Sequence, residues 1–118
     1  MMMPTPIQNL FGDLFKKLSK AAAFYHLSRL EYKGDARTRR AEFVEWINAL
    51  QNVTYVSPDT LPFIQDYPTV TAIAHEPNMI LAQIIKGYLK SSVTSYLTKN
   101  DQLSAYAIMA ILQRLFAH

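Results

Sequence analysis

Apolar side chains recur at spacings of three and four residues in four stretches of this chain, and no stretch of useful length alternates with period two. The first spacing marks one face of a helix; the second is what a half-buried strand requires. A sheet is therefore not expected. The chain reads as all-α, a compact bundle of about five to six helices in a single domain over residues 1–118. Half of its residues are hydrophobic and 18% are charged, which supplies enough apolar surface for one core and excludes a disordered polar tail.

Ile7, Leu10, Phe11, Leu14, Phe15 and Leu18 make the first stripe, with Thr5 as a candidate cap, Pro6 in the first turn and Ala21–Ala23 as an extension. Tyr32-Lys33-Gly34-Asp35 has turn chemistry, and Asp35 is a good cap for a second helix to about Gln51 that carries Phe43, Trp46, Ile47 and Leu50. Trp46, the single tryptophan, reads as the core anchor of that helix. Val53, Tyr55 and Val56 read as a short extended patch. Ser57-Pro58-Asp59 can open a short helix over Leu61, Phe63 and Ile64, and Thr69–Ala74 can form another helical turn. From Glu76-Pro77-Asn78 a third strong helix is expected to run to about Leu97, although Gly87 weakens it by roughly 1 kcal/mol. Asp101 is the expected cap of a last helix through Phe116. That helix is apolar almost all round, so it is either buried or packed against something beyond this chain.

The chain has no cysteine, hence neither disulfides nor thiolate metal sites. With three glycines, a loop that cradles phosphate is hard to build, and no HExxH or paired-acid motif occurs. His75-Glu76 is the only histidine–acid neighbour pair; adjacent residues on a helix point apart, so it makes a poor dyad or metal pair. No catalytic residue, cofactor or metal site is expected. No apolar run approaches the roughly 20 residues that cross a bilayer, and the start lacks signal-peptide character, so an intracellular, cytoplasmic protein is expected.

The charge is uneven. Lys16, Lys17, Lys20, Arg29, Lys33, Arg37, Arg39 and Arg40 are eight of the twelve bases, whereas only Asp13, Glu31 and Asp35 of the nine acids share that stretch. Arg37, Arg39 and Arg40 fall in the first turns of a helix, where the macrodipole disfavours cations. Lys33, Arg37, Arg39 and Arg40 are therefore candidate contacts for RNA or another polyanion, against the simpler reading of a solvated positive face. No aromatic residues interleave with them in sequence, so any nucleic-acid binding is expected to be electrostatic and blind to bases. The cationic first helix likewise has two readings, a membrane-surface helix or a core-packing one.

Tyr32-Lys33-Gly34-Asp35, followed by Phe43 and Trp46 on a helix, is similar to the start of retrotransposon Gag capsid regions. The closing helix, with Ala105, Ile108, Leu112 and Phe116 at helical spacing, resembles that family's last helix; Ile108 stands where tryptophan is common. The segment from Val53 to Pro77 is longer than the family pattern, and the likeness spans about residues 30–116. The resemblance is to the capsid domain of LTR retrotransposons of the copia or gypsy type, or a domesticated relative, and to the N-terminal of its two lobes. It implies a non-enzymatic helical domain that self-assembles into shells around RNA. The zinc knuckle that usually follows needs cysteines and is not in this sequence. Tyr55, Phe63 and Tyr67, with the face of the first helix, are the candidate contacts between copies. The alternatives are a helical adaptor that binds a foreign protein and a weakly basic nucleic-acid-binding domain; the net charge of +3 is low for the latter.

Overall fold

The computed structural model describes the backbone over residues 6–65 and 75–117, and side chains over 12–65 and 76–117. Helix α1 spans Pro6–Phe24, α2 Ala36–Thr54, α3 Pro62–Gln65, α4 His75–Gly87, α5 Ser91–Thr94 and α6 Ala105–Phe116, with a 3-10 turn at Asp101–Leu103. The protein is all-α: no strand occurs among the described residues, and one isolated parallel bridge joins Leu30 to Leu89. Thr5, Tyr67, the Thr69–Ala74 turn and the side chain of His75 lie outside the described residues.

Helix α4 is the centre. Leu81, Ala82 and Ile85 are fully buried, and α1 and α6 both pack on it. Helix α1 contributes Leu18, Ala21 and Ala22 to the core, which is the core-packing role for its apolar stripe. Phe43, Trp46, Leu50 and Val53 form the buried seam of α2. Helix α6 closes the bundle against α4, α2 and α3; Ala105, Ile108, Met109 and Leu112 are fully buried and Phe116 nearly so. Its apolar character is thus satisfied within the fold, and only Arg114 and Ala117 at its end are exposed.

Four boundaries differ from expectation, each for a physical reason. Helix α2 runs on to Thr54, because Val53 continues the Trp46–Leu50 spacing into the core and is fully buried. Val53 is therefore helical, and Tyr55–Val56 form the turn after α2, where the Tyr55 amide still donates to Gln51 O at 3.1 Å. The short third helix begins at Pro62, after a turn in which the Thr60 hydroxyl donates to Ser57 O at 2.7 Å. Helix α4 stops at Gly87 instead of running to Leu97. There the extended loop at Leu30 competes for the backbone: its N–H donates to Tyr88 O and its C=O accepts from the Lys90 N–H, both at 2.8 Å. These bonds satisfy groups that a continuing helix would have used. The last helix is capped by Ser104, whose Oγ accepts from the Ala107 N–H at 3.2 Å, and not by Asp101. The Asp101 carboxylate instead accepts from the Thr98 N–H at 2.9 Å, a bond that holds its pKa below the ordinary aspartate value.

Helix α1 ends in a Schellman motif. The Leu27 N–H reaches Ala22 O at 2.9 Å, the His26 N–H reaches Ala23 O at 3.2 Å, and His26 takes the left-handed conformation at φ 54°. A side chain other than glycine is strained there by roughly 1 kcal/mol or more. His26→Gly is expected to raise the melting temperature by about 4 °C, the ordinary response of a domain this size to that relief. An unchanged or lower melting temperature in a thermal scan would refute the assignment.

Candidate functional site

The basic end of the molecule is built on the loop between α1 and α2. Leu27 and Leu30 anchor that loop in the core, at 6% and 3% exposure. The Tyr32 N–H donates to Ser92 Oγ at 3.0 Å, which ties the loop to α5. Gly34, at φ +79°, makes the turn that delivers Asp35 to the start of α2. Asp35 then accepts from the Thr38 N–H at 2.8 Å, and this bond first of all keeps its pKa below the ordinary value.

The four predicted cations fare differently. Arg39 folds back over the turn: its guanidinium donates to Gly34 O and lies 4.5 Å from the Tyr32 ring centroid. That carbonyl and the ring's negative face answer the unfavourable dipole at this helix start. Lys33 lies 3.3 Å from Glu31, which Lys90 approaches at 3.2 Å from the α4–α5 break. Glu31 is thereby held below the ordinary glutamate pKa, chiefly by its bond to Lys90 and then by that to Lys33. Arg37 and Arg40 are exposed on the first turns of α2. Arg40 borders a shallow cleft of about 280 Å³ between α2 and the end of α6.

Of the aromatic partners of this cluster, Tyr32 adjoins it in sequence and the others do not. Tyr32 meets Tyr96 edge-on at 5.5 Å and Phe116 at 5.4 Å, and Phe116 stacks on Phe43 at 5.0 Å. A continuous aromatic file thus runs from the buried seam of α2 to Tyr96, which is 52% exposed. The expectation of a basic patch without aromatics is corrected here. Tyr96 reads in sequence as one more apolar position of a long helix, and only the break at Gly87 lets the turn after α5 carry it back to Tyr32. No local signal in the sequence announces that pairing.

The candidate assembly residues are also sorted. Phe63 is 2% exposed and belongs to the core, because Thr60 and Pro62 turn the short α3 inward against α2 and α6. Tyr55 is on the surface, with 57% of its area exposed and its hydroxyl accepting from Gln65 Nε2 at 3.3 Å. Val44 and Val56 are exposed as well. Val44 and Tyr55 lie on one face of α2, with Asn48 and Gln51 between them at helical spacing.

A cleft of about 600 Å³ lies between α1, the turn after α2 and the start of α4. It has Asp13, Asp59, Glu76 and Lys17 on an otherwise mostly apolar lining. No group of three or more histidines or carboxylates able to hold a metal occurs among the described residues. No helix among them is long and apolar enough to cross a membrane. Comparison with protein-family models, with curated proteins and with solved structures gives no match.

Proposed function

We propose that this chain is an intracellular, non-enzymatic structural assembly domain, similar to the N-terminal lobe of a Gag capsid, that forms shells through contacts between its own copies. The observation that carries the reading is the outer face of α2. Val44 at 52% exposure stands midway along it and Tyr55 at 57% just past its C-terminal end, on a helix whose opposite face is packed in the core. Large apolar groups set on a rigid, well-packed helix are the kind of surface that lends itself to repeated weak protein contacts. The all-α fold and the glycine turn leading into a tryptophan-bearing helix are in keeping with the same reading. Helix α6 is absorbed by the core, which moves the candidate contact surface to α2 and the turn after it.

Sedimentation velocity and electron microscopy over a range of protein and salt concentrations test the proposal. The expected result is concentration-dependent association, lost in the double variant Val44→Lys, Tyr55→Lys while its melting temperature stays near that of the parent. A strict monomer at millimolar protein, with no particles at any salt, overturns it. Assembly that is unchanged in the double variant removes this face from the contact.

A further inference from the structure

The basic end offers something that charge alone does not. Tyr96 presents about half of its surface to solvent, and its ring is braced from below. Tyr32 supports it edge-on, and Tyr32 in turn rests on Phe116, which is 1% exposed. A ring backed by buried rings loses little freedom when a ligand covers it. The guanidinium of Arg39 lies over the Tyr32 ring, with one nitrogen engaged at Gly34 O. Arginine carries five N–H donors on a flat group, so the remainder stay free for phosphate or base atoms.

The surrounding charge favours an anion. Lys33, Arg37, Arg39, Arg40 and Lys90, with Arg29, are six cations against the four carboxylates of Glu31, Asp35, Glu42 and Glu45. Two of those carboxylates are already engaged, Glu31 with the two lysines and Asp35 with the Thr38 amide. An exposed, braced tyrosine within such a patch suits a ligand that has both a flat face and a phosphate chain. Unpaired bases have that face available, whereas bases in a duplex are stacked on each other and a sulfated polysaccharide has none.

We propose that Tyr96, with the Tyr32–Arg39 pair beside it, forms a stacking site for an unpaired base of single-stranded nucleic acid, and that Lys33, Arg37 and Arg40 contact its phosphates. Arg40 and Arg37 lie one and two turns before Val44 on α2, so the phosphate contacts adjoin the proposed contact face, whereas Tyr96 lies off that helix. The site makes binding sensitive to bases as well as to charge.

Fluorescence anisotropy at low salt, on dilute protein with short labelled oligouridylate and oligothymidylate, is the test, with heparin and a duplex as comparison ligands. Binding of either oligonucleotide supports the site, and the ratio of their affinities tells RNA from DNA. Tyr96→Ala is expected to weaken oligonucleotide binding about tenfold, to leave heparin binding unchanged, and to be rescued by Tyr96→Phe. A melting temperature unchanged from the parent shows that the variant is folded. With three phosphate contacts, log affinity should fall against log salt with a slope of about 2, and Arg37→Glu with Arg40→Glu should flatten it. No binding at low salt overturns the proposal. So does an unaltered affinity in Tyr96→Ala, which leaves a base-blind polyanion surface, or a duplex bound as tightly as a single strand.

Discussion

Trp46→Ala is expected to lower stability by about 3–5 kcal/mol, the ordinary loss for truncating a buried tryptophan. Trp46 is 2% exposed, stacks near Phe43 at 6.3 Å, and its Nε1–H donates to Ser28 O at 3.0 Å. Two losses combine in the variant. The cavity left beside Phe43, in a core sealed by α6, cannot collapse easily. The Ser28 carbonyl loses its donor, which loosens the loop that carries Tyr32. Alanine's better helix propensity returns only a few tenths of a kcal/mol. Against a total stability of roughly 5–15 kcal/mol, a loss of this size leaves a marginal domain. In urea the transition midpoint should fall by about 2 M, taking a denaturant slope of about 2 kcal/mol per M. Trp46→Phe keeps most of the packing and removes the hydrogen bond, so it should cost distinctly less. A midpoint drop below about 0.5 M for Trp46→Ala would show that the tryptophan is not the anchor of this core.

Asn78→Ala should be the next most damaging change, at about 1–3 kcal/mol, the ordinary cost of breaking hydrogen bonds at a buried polar side chain. Asn78 is 5% exposed at the start of α4 and bridges to the start of α6. Its Oδ1 accepts from the Tyr106 N–H at 2.9 Å and its Nδ2 donates to Ser104 Oγ at 3.0 Å. Ser104 Oγ in turn accepts from the Ala107 N–H. The first amides of α6 are thus capped by two side chains from different parts of the chain. Removing Asn78 leaves one of those amides without this acceptor and frees the serine to rotate away from the other. Ser104→Ala should cost less, because Asn78 still holds Tyr106. Equal stability of Asn78→Ala and the parent in chemical denaturation would sink the idea of a two-residue cap.

What the chain reveals before folding follows the range of the forces involved. The stripes of α1 and α2 and the Asp35 cap are local, set by spacings of three and four and by an acceptor three residues ahead of Thr38. The core role of Trp46 is legible for the same reason. The break after Gly87 is not, because its cause is Leu30 from a distant loop. Asp101 and Ser104 are both good cap residues by type; the choice falls to Ser104 because Thr98 occupies Asp101 and Asn78 reaches Ser104 from α4. Phe63 sits in a proline-rich stretch that resembles surface in sequence, yet α2 and α6 leave a space for it. Likewise the cations of the candidate site form a run that is visible in sequence, while Tyr96 joins them only through the tertiary fold.

The bridge between Leu30 and Leu89 also bears on the order of folding. The contacts around it, Glu31 with Lys90 and Tyr32 with Ser92, join positions 59 and 60 apart. Closing a loop of that length costs roughly 3–4 kcal/mol in chain entropy. Two backbone hydrogen bonds return only about 1 kcal/mol each, so the clip cannot form by itself. It waits until α1 and α4 have docked through their apolar faces, and it therefore belongs to the late, downhill side of the folding barrier. Weakening it should hasten unfolding and leave the folding rate nearly unchanged. The end of the molecule that carries Tyr32 and Tyr96 is then expected to close late and to open early.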